Sequence, residues 1–228
     1  MAAEDFTGPV DLLDSAERYD PGVLLSGLGA RWHVTGTYFK PYSCCRWLHA
    51  PIDALLMLIV EHAVLPDEIE AIEVGTFART LTLSNEVAPA SLEGALYSLP
   101  FCLGLAAVGG AEALLPIQMA ALANASVQAM SRRVSFYAAV EFNGMFPASV
   151  PGRVRLVTKR GAWEKTVLSP KGEPSNPMSS QDLEAKFQFV AKTQLTSRFA
   201  EGIMEGVRSL SDGSAALRAS LCRDACGI

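Results

Sequence analysis

The chain has 228 residues, half of them apolar and 19% charged, with a formal net charge of −5. This composition is typical of a folded globular protein and argues against disorder. The acidic balance, without a basic stripe, argues against nucleic acid as a partner. Five cysteines without a Cys-x-x-Cys pair favour a reduced, cytoplasmic protein and predict no metal site. The apolar stretches are too short for a membrane span and the N-terminus lacks signal-peptide features, so we expect neither.

The first long element in chain order is a helix predicted from about His49 to Val64, after a lead of loops and short helix over residues 1–38. Apolar residues recur there at helical spacing, and Pro51 suits the first turn of such a helix. Apolar residues at closer spacing then predict a strand near residues 69–77.

The middle of the chain mixes helical and strand patterns. A helix is predicted from about Ser91, with a break or kink at Pro100. An alanine-rich run predicts one long helix over residues 111–131, and a β-prone stretch follows at Val134–Phe142. Two alternating runs around Lys159-Arg160-Gly161 predict a hairpin.

The C-terminal part begins with a segment rich in proline, Lys171–Pro177, which we interpret as a linker. Ser179, followed three residues later by Asp182, forms a variant of the capping box and predicts a helix through about Gln194. Further helices complete the chain. The order of elements therefore predicts an α+β fold, with a mixed α+β middle and a helical tail.

Chemically active side chains are concentrated around the start of the first long helix. Residues 39–54, called the Lys40 motif below, read Phe-Lys-Pro-Tyr-Ser-Cys-Cys-Arg-Trp-Leu-His-Ala-Pro-Ile-Asp-Ala. Lys40 lies beside a predicted helix N-terminus and near Arg46. This combination predicts an electropositive pocket that binds an anionic substrate or protonates a leaving group. The alternative is that Lys40 is an ordinary solvated lysine.

Three further polar residues of the motif are spaced to share one helix face: Arg46, His49 and Asp53. In a functional interpretation, Asp53 fixes the tautomer of His49, and His49 carries a proton or contacts the substrate. In a structural one, the three form a polar network at the helix start, which we favour for Asp53. Tyr42 either directs its hydroxyl to the substrate or fills the rim of the core.

Two cysteines and a serine complete the candidate residues. Cys44 is expected to pack in the core, whereas Cys45 is expected to face the pocket, where it can act as an acid only with a tuned pKa. Ser98 is a candidate substrate contact, although the surrounding segment Tyr97–Phe101 is mostly a packing and helix-breaking element.

Four stretches carry a resemblance to a known family. They are Phe6-Thr7-Gly8-Pro9, the Lys40 motif, Tyr97-Ser-Leu-Pro-Phe-Cys102, and Gly172-Glu-Pro-Ser-Asn-Pro-Met-Ser179 with Lys186-Phe187 after it. In this order they resemble the second half of the MmgE/PrpD family, which includes 2-methylcitrate dehydratase, cis-aconitate decarboxylase and iminodisuccinate epimerase. The resemblance extends over most of the chain.

The resemblance implies a domain organisation. Family members are about twice as long, with an all-helical domain built from both chain ends and an α+β lid built from the middle. By this resemblance, residues 1–38 lead into the helical domain, residues 39–172 form the lid, and residues 173–228 complete the helical domain. The family's N-terminal helical part, which supplies catalytic Asp and His residues, has no counterpart here. Because Met1 directly precedes a family-like segment, we expect a separate open reading frame for that part.

The resemblance also implies a chemistry, namely cofactor-independent removal of a proton α to a carboxylate or carbonyl. Loss of water or carbon dioxide follows, or return of the proton on the other face. We therefore expect a lyase or isomerase subunit that acts without cofactor or metal on a small anionic or carbonyl substrate. The expected catalytic residues are Lys40, His49 and Tyr42, and the expected substrate contacts are Arg46, Cys45 and Ser98.

The sequence leaves three interpretations of the partner. In the split-enzyme interpretation, a helical-domain partner chain carries the base and the complex is a heteromer. One alternative is a non-catalytic scaffold that stabilises a full-length relative. Another is a stand-alone homodimeric isomerase that has rebuilt a site from its own residues.

Overall fold

The computed structural model describes residues 22–23, 26–30, 32–192 and 194–212. The chain divides into two compact units, residues 1–37 and residues 38–228. In the first, a short 3-10 turn spans His33–Gly36. The Phe-Thr-Gly-Pro stretch at residues 6–9 and the last 16 residues lie outside the described residues. The division at residues 38 and 172 drawn from the family resemblance stays a prediction.

The second unit contains a four-stranded mixed sheet. Its strands, in chain order, are β1 (Ile69–Thr76), β2 (Val134–Ala138), β3 (Gly152–Thr158) and β4 (Gly161–Val167). The spatial order is β2-β1-β3-β4, with β1 and β2 parallel and the other pairs antiparallel. In this register Val74 lies opposite Phe136 on one side and Val154 on the other. The hairpin predicted around Lys159-Arg160-Gly161 is confirmed as β3 and β4.

Eight α-helices are found among the described residues. They are α1 (His49–Glu61), α2 (Leu92–Leu96), α3 (Leu99–Gly109), α4 (Met119–Leu122), α5 (Ala125–Ser131), α6 (Val140–Asn143), α7 (Ser180–Ala191) and α8 (Ser197–Arg208). The predicted α+β class is therefore confirmed. None of these helices is both long enough and apolar enough to pass through a lipid bilayer.

The main core lies between the sheet and two helices. Helix α1 packs over β3 and β4, and α3 packs against both α1 and α5. Every residue of α3 from Leu99 to Ala107 is buried, so this helix is the centre of the unit rather than an amphipathic surface helix. Buried Ile72 and Leu156 of the sheet complete the same apolar cluster.

The prediction of one long helix over residues 111–131 is wrong. The stretch consists of a 3-10 turn at Ala111–Leu114 and then the separate helices α4 and α5. The alanine content favours helix, but Pro116 has no N–H to donate to an intrahelical bond. Asn124 then caps α5 by accepting hydrogen bonds from the backbone N–H groups of Ser126 and Val127.

A serine and a proline explain why helices α2 and α3 are separated near residue 98. Helix α2 ends at Leu96, and the Ser98 side chain caps the start of α3, with Pro100 in the first turn. A break is therefore found near Pro100, but it lies at Tyr97 and Ser98, and Pro100 is the second residue of the next helix. The β-prone stretch at Val134–Phe142 is a strand only as far as Ala138.

The close packing of α3 on α5 generates a prediction. A methyl group built on Gly104 lies 2.8 Å from the backbone nitrogen of Ser131 and 3.0 Å from the carbonyl oxygen of Val127. Gly104→Ala therefore forces the two helices apart, and we expect a loss of about 2–3 kcal/mol in the free energy of unfolding, measured in urea. In the control, Gly144→Ala, the added methyl has nothing within 4 Å, and the change should stay below about 0.5 kcal/mol.

Candidate functional site

The Lys40 motif runs across the N-terminal end of α1 and is held by backbone bonds to distant parts of the chain. The Ser43 N–H donates to the Leu114 carbonyl at 3.0 Å, and the Cys45 N–H donates to the Leu96 carbonyl at 2.9 Å. A short 3-10 turn at Arg46–Leu48 then leads directly into α1. The motif is therefore fixed in position by the core around it and not only by its own helix.

Asp53 is the buried centre of this arrangement. Its Oδ1 accepts a 2.6 Å hydrogen bond from the Tyr42 hydroxyl, and its Oδ2 accepts a 2.7 Å bond from the Lys171 backbone N–H. Burial raises the pKa of Asp53, and both hydrogen bonds act in the opposite direction. The helical spacing suggested a hydrogen bond between Asp53 and His49. In the structure, Asp53 accepts its hydrogen bonds from Tyr42 and Lys171 instead.

Tyr42 is only 7% exposed and its hydroxyl is engaged by Asp53. Burial, together with the neighbouring Asp53 charge, raises the pKa of Tyr42 well above its ordinary value. The phenol therefore keeps its proton at neutral pH and uses it in the bond to Asp53. This geometry indicates a structural role for Tyr42. The catalytic role predicted from sequence stays a prediction.

Arg46 forms a two-pronged ion pair with Glu173. The Nε–Oε1 distance is 2.5 Å and the Nη2–Oε2 distance is 2.8 Å, and both side chains are mostly buried. The guanidinium also lies 4.7 Å from the centre of the Tyr38 ring. A paired guanidinium of this kind holds its position through directional bonds. Its charge is already balanced by a carboxylate, which weakens the predicted role as a substrate contact.

His49 is 2% exposed. Its Nε2 lies 3.3 Å from the Cys44 carbonyl oxygen, and its ring meets the Tyr42 ring edge-on at 5.2 Å between centroids. The imidazole thus lies inside the protein against the motif's own backbone. Proton transfer to a ligand from this position requires the surrounding chain to open.

The thiols differ in exposure. Cys44 and Cys102 are fully buried, and the Cys102 thiol donates to the Ala95 carbonyl at 3.3 Å. Hydrogen bonding with Cys44, together with burial, raises the pKa of Cys102. Cys45 is half-buried; burial raises its pKa, and the charge of Lys40 acts in the opposite direction. A thiol with a raised pKa is a poor nucleophile at neutral pH.

Ser98 is fully buried, and its hydroxyl is engaged within the chain. Its hydroxyl donates to the Glu86 carbonyl at 2.5 Å and accepts from the Phe101 N–H at 3.1 Å. Both bonds serve the start of α3. The structure therefore gives Ser98 the role of a helix cap, and the predicted substrate contact stays untested.

Lys40 differs from its neighbours because its ammonium has no carboxylate partner among the described residues. The side chain is partly buried, and its Nζ makes only a long 3.5 Å contact with the Ser43 carbonyl. Its positive charge acts on both adjacent thiols, Cys44 and Cys45. Lys40 is therefore the cation of the motif that is most open to a charged ligand.

The segment that we interpreted as a linker is instead bonded to the motif. The Phe39 N–H donates to the Gly172 carbonyl at 2.9 Å, and the Lys186 ammonium donates to the Lys40 carbonyl at 2.8 Å. Lys171 pairs with Asp182 at 2.8 Å. The roles of Lys171, Glu173 and Lys186 were missed from sequence, although Glu173 and Lys186 belong to one of the four stretches that carried the resemblance.

A family model for the MmgE/PrpD C-terminal domain matches residues 42–212. The chain belongs to the MmgE/PrpD family. This family is one of dehydratase- and isomerase-type enzymes, and the match covers its C-terminal domain. No curated protein matches the chain. In this MmgE/PrpD chain, two of the recognised stretches meet in space, because the Lys40 motif is bonded to the segment that begins at Gly172.

Removal of the Tyr42 hydroxyl tests the buried Asp53 bond. We expect Tyr42→Phe to lower the free energy of unfolding by about 1–3 kcal/mol at pH 7, because a buried carboxylate loses a donor. The matched control is Tyr97→Phe, since Tyr97 is 46% exposed. Urea unfolding measures both variants, and an equal small effect in the two contradicts the assignment.

The same two variants should also differ in how the free energy of unfolding depends on pH. The folded-state pKa of Asp53 is raised, so the folded protein holds the proton more tightly than the unfolded chain. Stability therefore falls as pH rises from the ordinary Asp pKa to the raised one. Tyr42→Phe raises the folded pKa further, so the fall should continue to higher pH than in the unmodified protein.

Gly172 provides a third test of the link between segments. Its φ is +94°, and a methyl group there collides with the Phe39 carbonyl oxygen. We expect Gly172→Ala to cost roughly 3 kcal/mol or more in urea unfolding. Gly161 also has a positive φ of +136° but open space around it. Gly161→Ala therefore measures backbone strain alone and should cost clearly less.

Proposed function

We propose that this chain is the lid-bearing subunit of a MmgE/PrpD-type lyase or isomerase. In this proposal Lys40 binds the carboxylate of a small substrate and stabilises the negative charge that develops when an α-proton is removed. The observation that supports it best is the partly buried Lys40 ammonium, which has no carboxylate partner among the described residues and lies two residues before the family match begins.

The chemistry needs a base and a cation. A base takes the proton α to the carboxylate, and the resulting enediolate carries an additional negative charge. A preorganised ammonium beside that charge stabilises the transition state more than the ground state. Lys40 is suited to this because it is held by its backbone, whose carbonyl accepts the Lys186 bond. Arg46 and Asp53 contribute by fixing the motif.

We place the base on a second polypeptide. Two histidines have described side chains, and both are engaged within the chain. His49 is buried against the Cys44 carbonyl, and His62 stacks on Trp163 at 4.3 Å. The helix between them, α1, is 13 residues long, which separates its ends by about 20 Å.

Exposed apolar side chains near the C-terminal end of the described chain also favour a partner. Val207 of α8 and Leu210 in the following turn are each 52% exposed. Single exposed apolar residues are common, so their support is secondary to that of the histidine positions.

Substitution of Lys40 tests the proposal. The assay is exchange of α-protons in D₂O, followed by NMR, on a panel of small di- and tricarboxylates. The complex of this chain with its partner should lose at least about 100-fold in exchange rate with Lys40→Ala. Lys40→Arg keeps the charge and should retain more activity, with the loss mainly in kcat because the shape of the cation changes.

Lys159→Ala is the matched control, since Lys159 is an exposed lysine at the hairpin turn. Exchange by the complex should change less than twofold in that variant. If Lys40→Ala leaves exchange intact, a non-catalytic scaffold role is the better explanation. If the purified chain alone catalyses exchange, the base is its own and the second polypeptide is not required.

A further inference from the structure

A groove runs along helix α7 beside the Lys40 motif. It consists of two cavities of about 460 Å³ and about 430 Å³. They are neighbours, because four residues line both: Glu112, Leu115, Phe189 and Lys192. We call this feature the α7 groove. The two volumes are each in the range of pockets that hold small organic ligands.

One end of the α7 groove carries excess positive charge. Three lysines, Lys171, Lys186 and Lys192, line it against two carboxylates, Asp182 and Glu112. Lys171 is neutralised by Asp182 at 2.8 Å. Lys186 donates to a neutral backbone carbonyl, and the Lys192 ammonium lies 5.5 Å from the centre of the Phe189 ring. Among the described residues neither of these two lysines forms an ion pair. Counted against Glu112, they leave this end with one excess positive charge that a ligand can neutralise.

The other end of the α7 groove is mostly apolar. Its lining includes side chains from α3, from the turn after it and from α4, namely Leu105, Ala113, Leu115, Pro116 and Ala121, with Phe189 opposite. The small side chains Ala113 and Ala121 leave the space open. An apolar ligand chain bound here is removed from water and contacts carbon atoms on several sides.

We propose that the α7 groove binds a monocarboxylate with an unbranched apolar chain, of the medium-chain fatty acid class. The carboxylate lies near Lys186 and Lys192, and the chain extends toward Ala121. A compact tricarboxylate fits less well, since it leaves the apolar end filled with water. The proposal does not depend on the function assigned to Lys40, whose side chain does not line the groove.

The test is calorimetric titration of the full chain with butyrate, hexanoate and octanoate. We expect one site per chain and a dissociation constant that falls about fourfold for each methylene added, because each buries apolar surface. Octanol, which has the same chain without the charge, should bind at least about tenfold more weakly than octanoate. Equal affinity for the three acids, or no saturable binding of octanoate, overturns the proposal.

Variants assign the binding to the groove. Lys192→Ala should weaken octanoate binding by about tenfold, from loss of a charged contact, while the dependence on chain length is kept. Ala121→Phe fills the apolar end and should abolish that dependence while butyrate still binds. Lys159→Ala, on the hairpin turn, should change nothing. Thermal unfolding of each variant confirms that it is folded, and unchanged octanoate binding in both groove variants refutes the assignment.

Discussion

The buried carboxylate of Asp53 is the interaction on which the site depends. It joins the Tyr42 hydroxyl at the start of the motif to the backbone of Lys171, 118 residues away in the chain. A buried carboxylate is costly unless its oxygens are satisfied, so it tolerates few alternative arrangements. The Arg46–Glu173 pair connects the same two segments, but here the motif provides the donor and the later segment provides the carboxylate. Together these bonds fix where the backbone of Lys40 lies.

The distribution of charge within the motif follows from this constraint. Arg46 and Lys40 are both cations of one short segment, yet Arg46 is committed to Glu173 whereas Lys40 meets only a backbone carbonyl. A paired guanidinium gives geometric precision, and an unpaired ammonium offers charge to a ligand. The motif therefore separates the task of holding the backbone from the task of presenting a charge.

Sequence patterns over a few residues correctly predicted the elements that depend on interactions between near neighbours in the chain. Helix α1, the β3–β4 hairpin and the Ser179–Asp182 capping box are all found, because periodicity and capping act over a few residues. The run at residues 111–131 failed because helix propensity was outweighed by Pro116 and by the Asn124 cap. The candidate cluster could be located from sequence, but the side-chain donors of Tyr42, Arg46 and Ser98 bond to acceptors 11 to 127 positions away. Sequence spacing alone contains no signal for such pairs.

The segment after Lys171 has the composition of a flexible connection, yet it is bonded to the Lys40 motif and to helix α7. A backbone bond from Phe39 to Gly172, the Lys171–Asp182 ion pair and the Lys186 bond to the Lys40 carbonyl all cross it. A hinge at this point would have to break all three at once. Helix α7 and the Lys40 backbone are therefore expected to move together, and an opening that admits a ligand to the motif must take place along another boundary of the protein.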